Sequence, residues 1–404
     1  MLLMNFSGSN IDWGMEMKTL VYINKNILKD SGGPIGYCNN IYKEAIKRND
    51  KDVHFLDIPV VEHSETYNFL KKSKFLWVFK RNIQFFKLIY GNNHIAATDL
   101  KQYEAIHFHN PLDMYLVRDS LKDYKGICIL TSHSPTLASK EALIDLSIVE
   151  KFIFKPLQSK LIRMDEYAFD KADYYIFPCE EAEEPYISDW DKFEEYKSRK
   201  SVKYVPTGTH QCVAKTAKSD IRKKYGIPND AFVISYVGRH NEIKGYDKLK
   251  EIGEVILRET PNCYFLIAGS EHPFHGLNHD RWIEVGWTND PHSVINASDI
   301  FVLPNKNTYF DLILLEVMSL GKPVLFTFTG GNKFMYKLNK GGLFKYSSVN
   351  EAITELKKIM KFSLSDLEKI GNTNKDIFND NFTVSKFYEN YKSVLKEIER
   401  ENKK

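Results

Sequence analysis

The chain alternates short apolar runs with helical segments, and it does so in two series. The first series begins at TLVYIN (Thr19–Asn24), and the second begins near Lys215, with its first apolar run at Phe232–Val237. Apolar runs of this length, separated by helix-length segments, are typical of parallel βαβ units. The alternation predicts an α/β fold with two doubly wound parallel sheets, and 404 residues are enough for two such domains.

The remaining strand candidates are equally short. They are VHFLDIP, AIHFHNP, ICILTSHSP, DYYIFPCE and KYVPTGTH in the first series, and CYFLIAG, WIEVGW, DIFVLPN and VLFTFT in the second. After VLFTFT we predict only helices, ending with the amphipathic segment FTVSKFYENYKSVLKEIER. The acidic segment Glu180–Glu195 is most simply the solvated face of a helix.

Composition argues against several classes of protein. A net charge of +3 is too small to indicate nucleic-acid binding, and there is no run of about eighteen apolar residues to predict a membrane-spanning helix. The N-terminus lacks a basic segment followed by an apolar run, so we expect no signal peptide. Five scattered cysteines without a CxxC pair favour a reducing compartment and no structural metal. We therefore expect a cytoplasmic protein.

One carboxylate lies in an unexpected place. The stretch Pro304–Gly331, PNKNTYFDLILLEVMSLGKPVLFTFTGG, reads as a loop, a short helix and a strand, and Asp311 is the predicted helix cap. The helix is apolar on every face except at Glu316, and such a helix is expected to be buried on all sides. A buried carboxylate has to be paired or hydrogen-bonded. Two partners fit: an internal Lys or Arg, or a ligand with hydroxyl donors such as a ribose.

Polar residues stand where several predicted strands end, and ligands of open α/β sheets bind at the carboxyl ends of strands. Arg239 and Lys244 follow Phe232–Val237, and two cations near a helix N-terminus suit a diphosphate. His109 and His133 end two strands of the first series. The alternatives are surface charges and capping histidines. The two histidines do not look like metal ligands, because no carboxylate or cysteine shares their spacing.

Two further segments have a functional and a structural interpretation. SGGPIG, which contains Gly33, follows the first strand; its backbone N–H groups can approach an anion, although glycines also form ordinary turns. Residues Phe69–Gly91 mix six basic residues with aromatic ones and contain no acid. This segment is either a helix that lies on an anionic membrane or a packed surface helix with solvated lysines.

Taken together, these motifs resemble glycosyltransferase family 4, which has the GT-B fold. YVGRHNEIKGYDKL resembles the family's GR…KG.d.L segment, and NTYFDLILLEVMSLGKPV resembles its E-x(7)-E motif followed by EAMA.G.PV. CYFLIAG, WIEVGW and SVINASDIFVLPN match the landmarks between them. The first half is similar more loosely, through the Gly32-Gly33 loop, IHFHNP, LTSHSP, FDKADYYIFPCE and VPTGTH. The resemblance covers nearly the whole chain.

The resemblance implies two Rossmann-like domains that face each other across a cleft. Residues 1–206 would form the acceptor-side domain and residues 207–380 the nucleotide-sugar domain, with the C-terminal helix 381–404 crossing back to the first. Arg239 and Lys244 would hold the donor diphosphate and stabilise the departing charge.

The resemblance also implies roles for residues on both sides of the cleft. Glu316 would accept hydrogen bonds from the ribose, and Gly33 would lie close to the phosphates or the acceptor. His133 would be a catalytic residue that orients the transferred sugar, and His109 and Phe310 would shape the same cleft.

The chain departs from the family pattern at the sugar end of the motif. Thr308 stands eight residues before Glu316, where the family has a Glu that contacts the donor sugar, and Asp311 replaces the usual Gly after Phe310. Asp311 either substitutes for that carboxylate or caps the helix, and we favour the cap.

The activity implied is metal-independent, retaining transfer of a sugar from a nucleoside-diphosphate sugar to a glycan or lipid-linked acceptor, in surface polysaccharide or glycoconjugate synthesis. No cofactor, metal or nucleic-acid partner is expected. Residues 69–91 would provide peripheral contact with the inner face of the membrane. The alternatives are a non-catalytic glycosyltransferase-like partner subunit and a nucleotide-sugar epimerase of the same architecture.

Overall fold

The computed structural model describes residues 17–28, 33–56, 74–91, 95–141, 152 and 155–403, and these residues contain two parallel six-stranded sheets. The strands of the first sheet are β1 (Thr19–Tyr22), β2 (Val53–Phe55), β3 (Ala105–Phe108), β4 (Ile127–Leu130), β5 (Tyr174–Phe177) and β6 (Ser201–Tyr204). The helices around it are α1 (Gly33–Lys47), α2 (Lys74–Tyr90), α3 (Pro111–Leu116), α4 (Ala138–Glu141), α5 (Lys155–Lys171), α6 (Glu184–Asp189) and α7 (Phe193–Ser198), with 3₁₀ turns at Leu100–Gln102 and Glu180–Glu183.

The second sheet has its own set of helices. Its strands are β7 (Phe232–Val237), β8 (Cys263–Ala268), β9 (Trp282–Gly286), β10 (Ile300–Leu303), β11 (Val324–Thr327) and β12 (Leu343–Tyr346). The helices that come after β6 in the chain are α8 (Lys218–Lys224), α9 (Tyr246–Glu259), α10 (Pro291–Ala297), α11 (Leu312–Ser319), α12 (Gly331–Lys337), α13 (Val349–Ile359), α14 (Leu364–Asn381) and α15 (Val384–Asn402), of which α15 packs on the first sheet.

The order of the strands determines where a ligand can bind. The first sheet has the order β2-β1-β3-β4-β5-β6 and the second has the order β12-β11-β10-β7-β8-β9. Successive strands therefore add on opposite sides of β1 in the first sheet and of β7 in the second. At such a switch point the loops that leave the two central strands diverge and open a crevice at the carboxyl edge. The loops after β7 and β10 form this crevice in the second sheet.

Each predicted apolar run supplies a strand, so the predicted α/β architecture is confirmed. The prediction of helices only after VLFTFT is wrong, because Leu343–Tyr346 forms β12 and pairs with β11. This strand has only four residues and lies at the sheet edge, where its middle residues are partly or fully exposed. It therefore lacks the continuous apolar run that marks a central strand.

The acidic segment Glu180–Glu195 is not simply a solvated face. Glu183 is buried, and its carboxylate accepts hydrogen bonds from Lys197 Nζ at 2.5 Å and from the Tyr204 hydroxyl at 2.6 Å. Glu181 and Glu184 instead form ion pairs with residues of the second sheet's helices. These partners are distant in sequence, so charge patterning could not indicate them.

The last helix, α15, packs against the first sheet. Phe387, Tyr391 and Ile398 are buried in the same cluster as Val21 of β1 and Ile129 of β4. On the same helix, Lys392 forms an ion pair with Asp50 at 2.9 Å. The limits 1–206 and 207–380 for the two domains remain a prediction.

Helix α2 carries an exposed apolar stripe. Five of its residues each expose more than a third of their surface, from 37% at Leu76 to 57% at Phe86: Leu76, Phe79, Ile83, Phe86 and Tyr90. At about 100° per residue these positions fall within an arc of about 80° on the helix. The predicted stretch Phe69–Gly91 is thus helical from Lys74 onward, whereas residues 69–73, like the N-terminal residues 1–16 and Ser31-Gly32, lie outside the described part. No described helix combines the length and hydropathy needed to cross a membrane.

A buried ion pair joins α8 to the second sheet. The Asp299 carboxylate accepts hydrogen bonds from Arg222 Nη2 at 2.9 Å, Lys218 Nζ at 2.7 Å and the Val233 N–H at 2.8 Å. Arg222 and Asp299 side chains are 2% and 1% exposed. The Asp299 carboxylate therefore balances the positive charge of the buried Arg222 guanidinium.

We expect Asp299→Ala to lower the free energy of unfolding by about 3–5 kcal/mol, because it leaves Arg222 buried without its counter-charge. Urea unfolding followed by circular dichroism measures the change. The matched control is Glu242→Gln, which alters an exposed pair with Lys306 and should change stability by less than about 1 kcal/mol. Equal effects of the two substitutions would contradict the interpretation.

Candidate active site

The loops after β7 and β10 pack closely on each other. Gly245 immediately precedes α9 and has φ +62°, and a Cβ at this position would lie 1.7 Å from the carbonyl oxygen of Pro304. A glycine is needed here for both the positive φ and the close approach. The contact brings Lys244, which precedes Gly245, to the loop that carries Thr308 and Asp311.

Asp311 connects the two loops through hydrogen bonds. Its carboxylate accepts hydrogen bonds from Lys244 Nζ at 3.0 Å, from Asn305 Nδ2 at 2.5 Å and from Thr308 Oγ1 at 2.5 Å. It stands at the N-cap position of α11 but accepts no hydrogen bond from the helix backbone. The predicted capping role is therefore wrong, because a lysine and two neutral donors from tertiary neighbours occupy the carboxylate.

The two predicted diphosphate ligands differ in their surroundings. Lys244 exposes 33% of its side chain and is tied to Asp311. Arg239 is exposed, and within the described part of the chain its guanidinium forms no hydrogen bond or ion pair. The Tyr236 hydroxyl donates to the Arg239 carbonyl at 2.9 Å and fixes the backbone there. Both cations thus lie at the switch point, and the charge of Lys244 is already partly neutralised by Asp311.

The sugar end of the motif is partly covered. Thr308 is 2% exposed and its hydroxyl is used by Asp311, so its side chain does not face the cleft. Phe310 is partly buried against Phe334 and Phe382, with ring centroids 6.4 and 6.3 Å away. Asp311 is therefore the carboxylate that this loop offers to the crevice.

Glu316 does not sit in a fully buried helix. Leu314, Leu315 and Val317 are buried, but Glu316 exposes 27% of its side chain, because one face of α11 lies at the edge of the domain. Of the two alternative partners, a Lys or Arg is absent among the described residues. Glu316 Oε2 instead lies 3.1 Å from His292 Nε2.

His292 and Cys212 are site residues that the sequence did not reveal. Contacts with Cys212 and then Glu316 raise the pKa of His292 to about 10, so its imidazole is cationic near neutral pH. The Cys212 N–H donates to Ser319 Oγ at 3.1 Å, one turn beyond Glu316 on α11. The sequence feature that could have drawn attention to His292 is its position in the first turn of α10, a helix that Asp290 caps.

On the first domain, His133 and His109 are in direct contact. His133 Nε2 and His109 Nδ1 share a hydrogen bond of 3.0 Å, and the rings stack with centroids 5.3 Å apart. His133 is partly exposed whereas His109 is buried, so His109 lies behind His133 and orients it. Burial lowers the pKa of His133 to about 3 and lowers the pKa of His109 as well. Both rings are therefore neutral.

Gly33, the remaining predicted site residue, begins α1 with φ +66° and is exposed. A Cβ at this position would meet no atom within 4 Å, so the backbone conformation rather than space favours glycine.

Residues of the two domains meet beside these groups. Tyr309, next to Thr308, is buried in the first domain's aromatic cluster and lies 5.9 Å from the Phe177 ring. Burial raises the pKa of the Tyr309 hydroxyl, and the nearby hydroxyls of Tyr186 and Tyr37 raise it further. Tyr37 in turn packs edge-on against His133, with centroids 4.7 Å apart. The motif loop of the second domain thereby reaches the histidines of the first.

The glycine turn after β11 is also held by the first domain. Glu184 of α6 accepts hydrogen bonds from the Gly330 N–H at 3.1 Å and from Lys333 Nζ at 2.7 Å. Gly330 has φ +44°, and a Cβ there would lie 1.9 Å from the Thr308 carbonyl oxygen. The turn therefore supports the motif loop from behind.

Comparison with solved structures identifies the fold. Among solved structures, sucrose-phosphate synthase from Thermosynechococcus elongatus superposes with a TM-score of 0.63 at 17% identity, covering 94% of this chain and 98% of that one. HepE from Anabaena, solved with UDP and glucose, gives a TM-score of 0.59 at 14% identity, with 94% and 99% coverage. At these identities the likeness shows the fold, which is GT-B.

Sequence relatives match part of the chain. The UDP-Gal:alpha-D-GlcNAc-diphosphoundecaprenol alpha-1,3-galactosyltransferase of Escherichia coli is 27% identical over 155 residues, which are 35% of this chain and 40% of the relative. The putative teichuronic acid biosynthesis glycosyltransferase TuaC of Bacillus subtilis is 31% identical over 157 residues, or 37% and 39%. The chain thus aligns with less than half the length of these two relatives.

The family model described as "Glycosyl transferases group 1" matches residues 217–376, which contain the whole second sheet together with Arg239, Lys244, Asp311 and Glu316. Residues 217–376 are therefore similar to group 1 glycosyl transferases, in a chain that has the GT-B fold.

Proposed function

We propose that this protein transfers a sugar from a nucleoside-diphosphate sugar to a hydroxyl group of a glycan or lipid-linked acceptor during synthesis of a surface polysaccharide or glycoconjugate. The observation that carries the proposal is the position of Arg239 and Lys244. Both follow β7 at the switch point of the second sheet, within the residues that match the group 1 model, and Lys244 pairs with Asp311 at the N-terminus of α11. The names of the curated relatives, which include O-antigen and capsular polysaccharide enzymes, support the acceptor class.

In the proposed reaction the diphosphate binds between Arg239, Lys244 and the N-terminal end of α11. Fixed cations and helix N–H groups stabilise the negative charge that develops on the leaving diphosphate. They do so without reorganisation, and we propose that no divalent metal is required. Glu316 accepts hydrogen bonds from the ribose hydroxyls, since its carboxylate is partly exposed on the same edge.

The transfer is proposed to retain the anomeric configuration. The acceptor hydroxyl attacks from the face that the diphosphate leaves, and its proton passes to the leaving phosphate. His133 orients the sugar instead of donating a proton, because burial keeps its imidazole neutral. His109 positions His133 through the 3.0 Å hydrogen bond. We infer a cytoplasmic location, where nucleotide sugars are available.

The first test measures binding and turnover at the cations. Thermal-shift screening with UDP-, GDP-, ADP- and dTDP-sugars identifies the donor; a matching nucleoside diphosphate at about a hundred times its dissociation constant should add roughly 2.7 kcal/mol of stability. Arg239→Ala and Lys244→Ala should each lower kcat/KM with that donor by at least about a hundredfold. Lys248→Ala, which removes an exposed lysine paired with Glu251, is the matched control and should leave kcat/KM unchanged.

The same assay separates the rival functions. A non-catalytic partner subunit without a nucleotide site would show no stabilisation by any nucleoside diphosphate. An epimerase would convert the donor without an acceptor. Turnover that persists in excess EDTA, with an NMR spectrum of the product showing the donor's anomeric configuration, is expected from metal-independent, retaining transfer.

Asp311 provides a second test. With the capping role excluded, we propose that its carboxylate orients Lys244 and accepts a hydrogen bond from the donor sugar. Asp311→Asn should lower kcat/KM at least about tenfold, because an amide neither pairs with Lys244 nor accepts as strongly. Affinity for the nucleoside diphosphate alone, measured by calorimetry, should fall less than that or rise. Thr308→Ser keeps the hydroxyl donor to Asp311 and serves as control; full activity of Asp311→Asn would refute this role.

The membrane contact rests on the stripe of α2. Phe79 and Phe86 are 55% and 57% exposed, and Lys80 and Lys87 lie on the adjoining side of the helix. An apolar stripe flanked by lysines suits the interface of an anionic bilayer. We propose that α2 holds the protein at the inner face of the membrane, next to a lipid-linked acceptor.

The change to test is Phe79→Ser together with Phe86→Ser. Wild-type protein should co-sediment with vesicles that contain phosphatidylglycerol, less so with pure phosphatidylcholine, and less as salt is raised. The double variant should lose most of this binding. Phe362→Ser, which removes an exposed phenylalanine from the second domain, is the control. Binding that is indifferent to salt and to the α2 substitutions would contradict the proposal.

A further inference from the structure

One cluster of side chains in the second domain has the donor set of a transition-metal site. Cys212, His292 and Glu316 each offer one ligand atom, and the three atoms lie within 4.8 Å of one another. They come from three segments: the linker that enters the domain, α10 and α11. All three side chains are only partly buried, so an ion has access to them.

The separations suit tetrahedral zinc. Two ligand atoms at about 2.0–2.1 Å from a tetrahedral Zn²⁺ are about 3.4 Å apart. His292 Nε2 and Glu316 Oε2 are 3.1 Å apart, so they need to separate by only a few tenths of an ångström. The Cys212 sulfur, which is within 4.8 Å of both, would have to approach them by a side-chain rotation.

The backbone around the cluster holds these residues in place. The Cys212 N–H donates to Ser319 Oγ at 3.1 Å, and that hydroxyl donates to the Glu316 carbonyl at 2.7 Å. Cys212 and Glu316 are therefore anchored to the same turn of α11. His292 lies in the first turn of α10, where Asp290 accepts hydrogen bonds from the Ser293 N–H and hydroxyl.

The mixture of ligands selects the metal. One thiol, one imidazole and one carboxylate suit Zn²⁺, whereas Mg²⁺ and Ca²⁺ prefer oxygen ligands throughout. Cys212 is also the accessible thiol of the chain, since Cys38, Cys128, Cys179 and Cys263 are buried.

We propose that Cys212, His292 and Glu316 bind Zn²⁺, with a fourth position open to water, and that the bound ion inhibits the enzyme by withdrawing Glu316 from the donor ribose. Coordination releases the thiol proton of Cys212 and one proton of the cationic His292 imidazole to solvent, because the ligands are the thiolate and the neutral imidazole. Metal binding follows from the cluster alone. The inhibitory effect rests on the proposed function, because it requires Glu316 to contact the nucleotide.

Calorimetric titration of the full chain with ZnCl₂ tests the binding. Wild-type protein should bind one Zn²⁺, and Cys212→Ala should weaken this binding at least about tenfold. With Co²⁺ as the probe, wild-type protein should show a thiolate-to-metal charge-transfer band that the variant lacks. His275→Ala removes an exposed histidine 3.5 Å from Glu271 and is the matched control, which should bind Zn²⁺ as the wild type does. Equal affinity of Cys212→Ala and wild type would overturn the proposal.

Competition tests the inhibition. Zn²⁺ should raise the apparent dissociation constant of the nucleoside diphosphate at least about tenfold in wild-type protein and much less in Cys212→Ala, which also controls for chelation of zinc by the nucleotide. An equal shift in both proteins would overturn the inhibitory role. If no nucleoside diphosphate binds at all, the proposed function fails, while the zinc titration and the cobalt band still decide whether the metal site exists.

Discussion

The reversal of strand order between β7 and β10 determines where the functional groups of the second domain lie. Because neighbouring strands there lead to loops that diverge, the carboxyl edge opens at one point. The contact between Gly245 and Pro304 then draws the two loops together on the floor of that opening. Lys244 and Asp311 are 67 residues apart in the chain, yet the topology makes them an ion pair.

The charge balance at this edge follows from the same contact. A diphosphate carries at least two negative charges, and the crevice offers Arg239 and Lys244 as cations. Asp311 offsets one of them and is held by Asn305 and Thr308, so it cannot simply turn away. In the proposed reaction, part of the anchoring would then come from the N-terminus of α11 and from Arg239, whose guanidinium is exposed. A neighbouring carboxylate also places a hydrogen-bond acceptor where sugar hydroxyls would approach.

The fold could be predicted from the sequence because its signal is local. Short apolar runs such as Phe232–Val237 match the strand boundaries, since a strand buried on both faces consists mostly of apolar residues. The edge strand β12 was missed for the opposite reason: its exposed Lys345 breaks the apolar run. The candidate positions Arg239, Lys244 and Glu316 could be placed on one edge by the strand-end rule alone, but their partners could not be predicted.

Those partners depend on tertiary packing, which explains the errors at Asp311 and Glu316. A carboxylate before a helix is a good cap when nothing else competes, and Lys244, Asn305 and Thr308 compete here. An apolar helix indicates burial, but it does not show which face lies at the edge of a domain. Glu316 faces that edge and meets His292, 24 residues earlier in the chain.

The pairing of Glu316 with His292 has a consequence for nucleotide binding. The cationic imidazole of His292 lies 3.1 Å from one oxygen of the Glu316 carboxylate, Oε2. A carboxylate has two oxygens that accept hydrogen bonds, and the two adjacent hydroxyls of a ribose are matching donors. The same imidazole and the nearby thiol of Cys212 also make the carboxylate a potential metal ligand. The residue that best suits a nucleotide is thus the one through which a metal ion would compete with it.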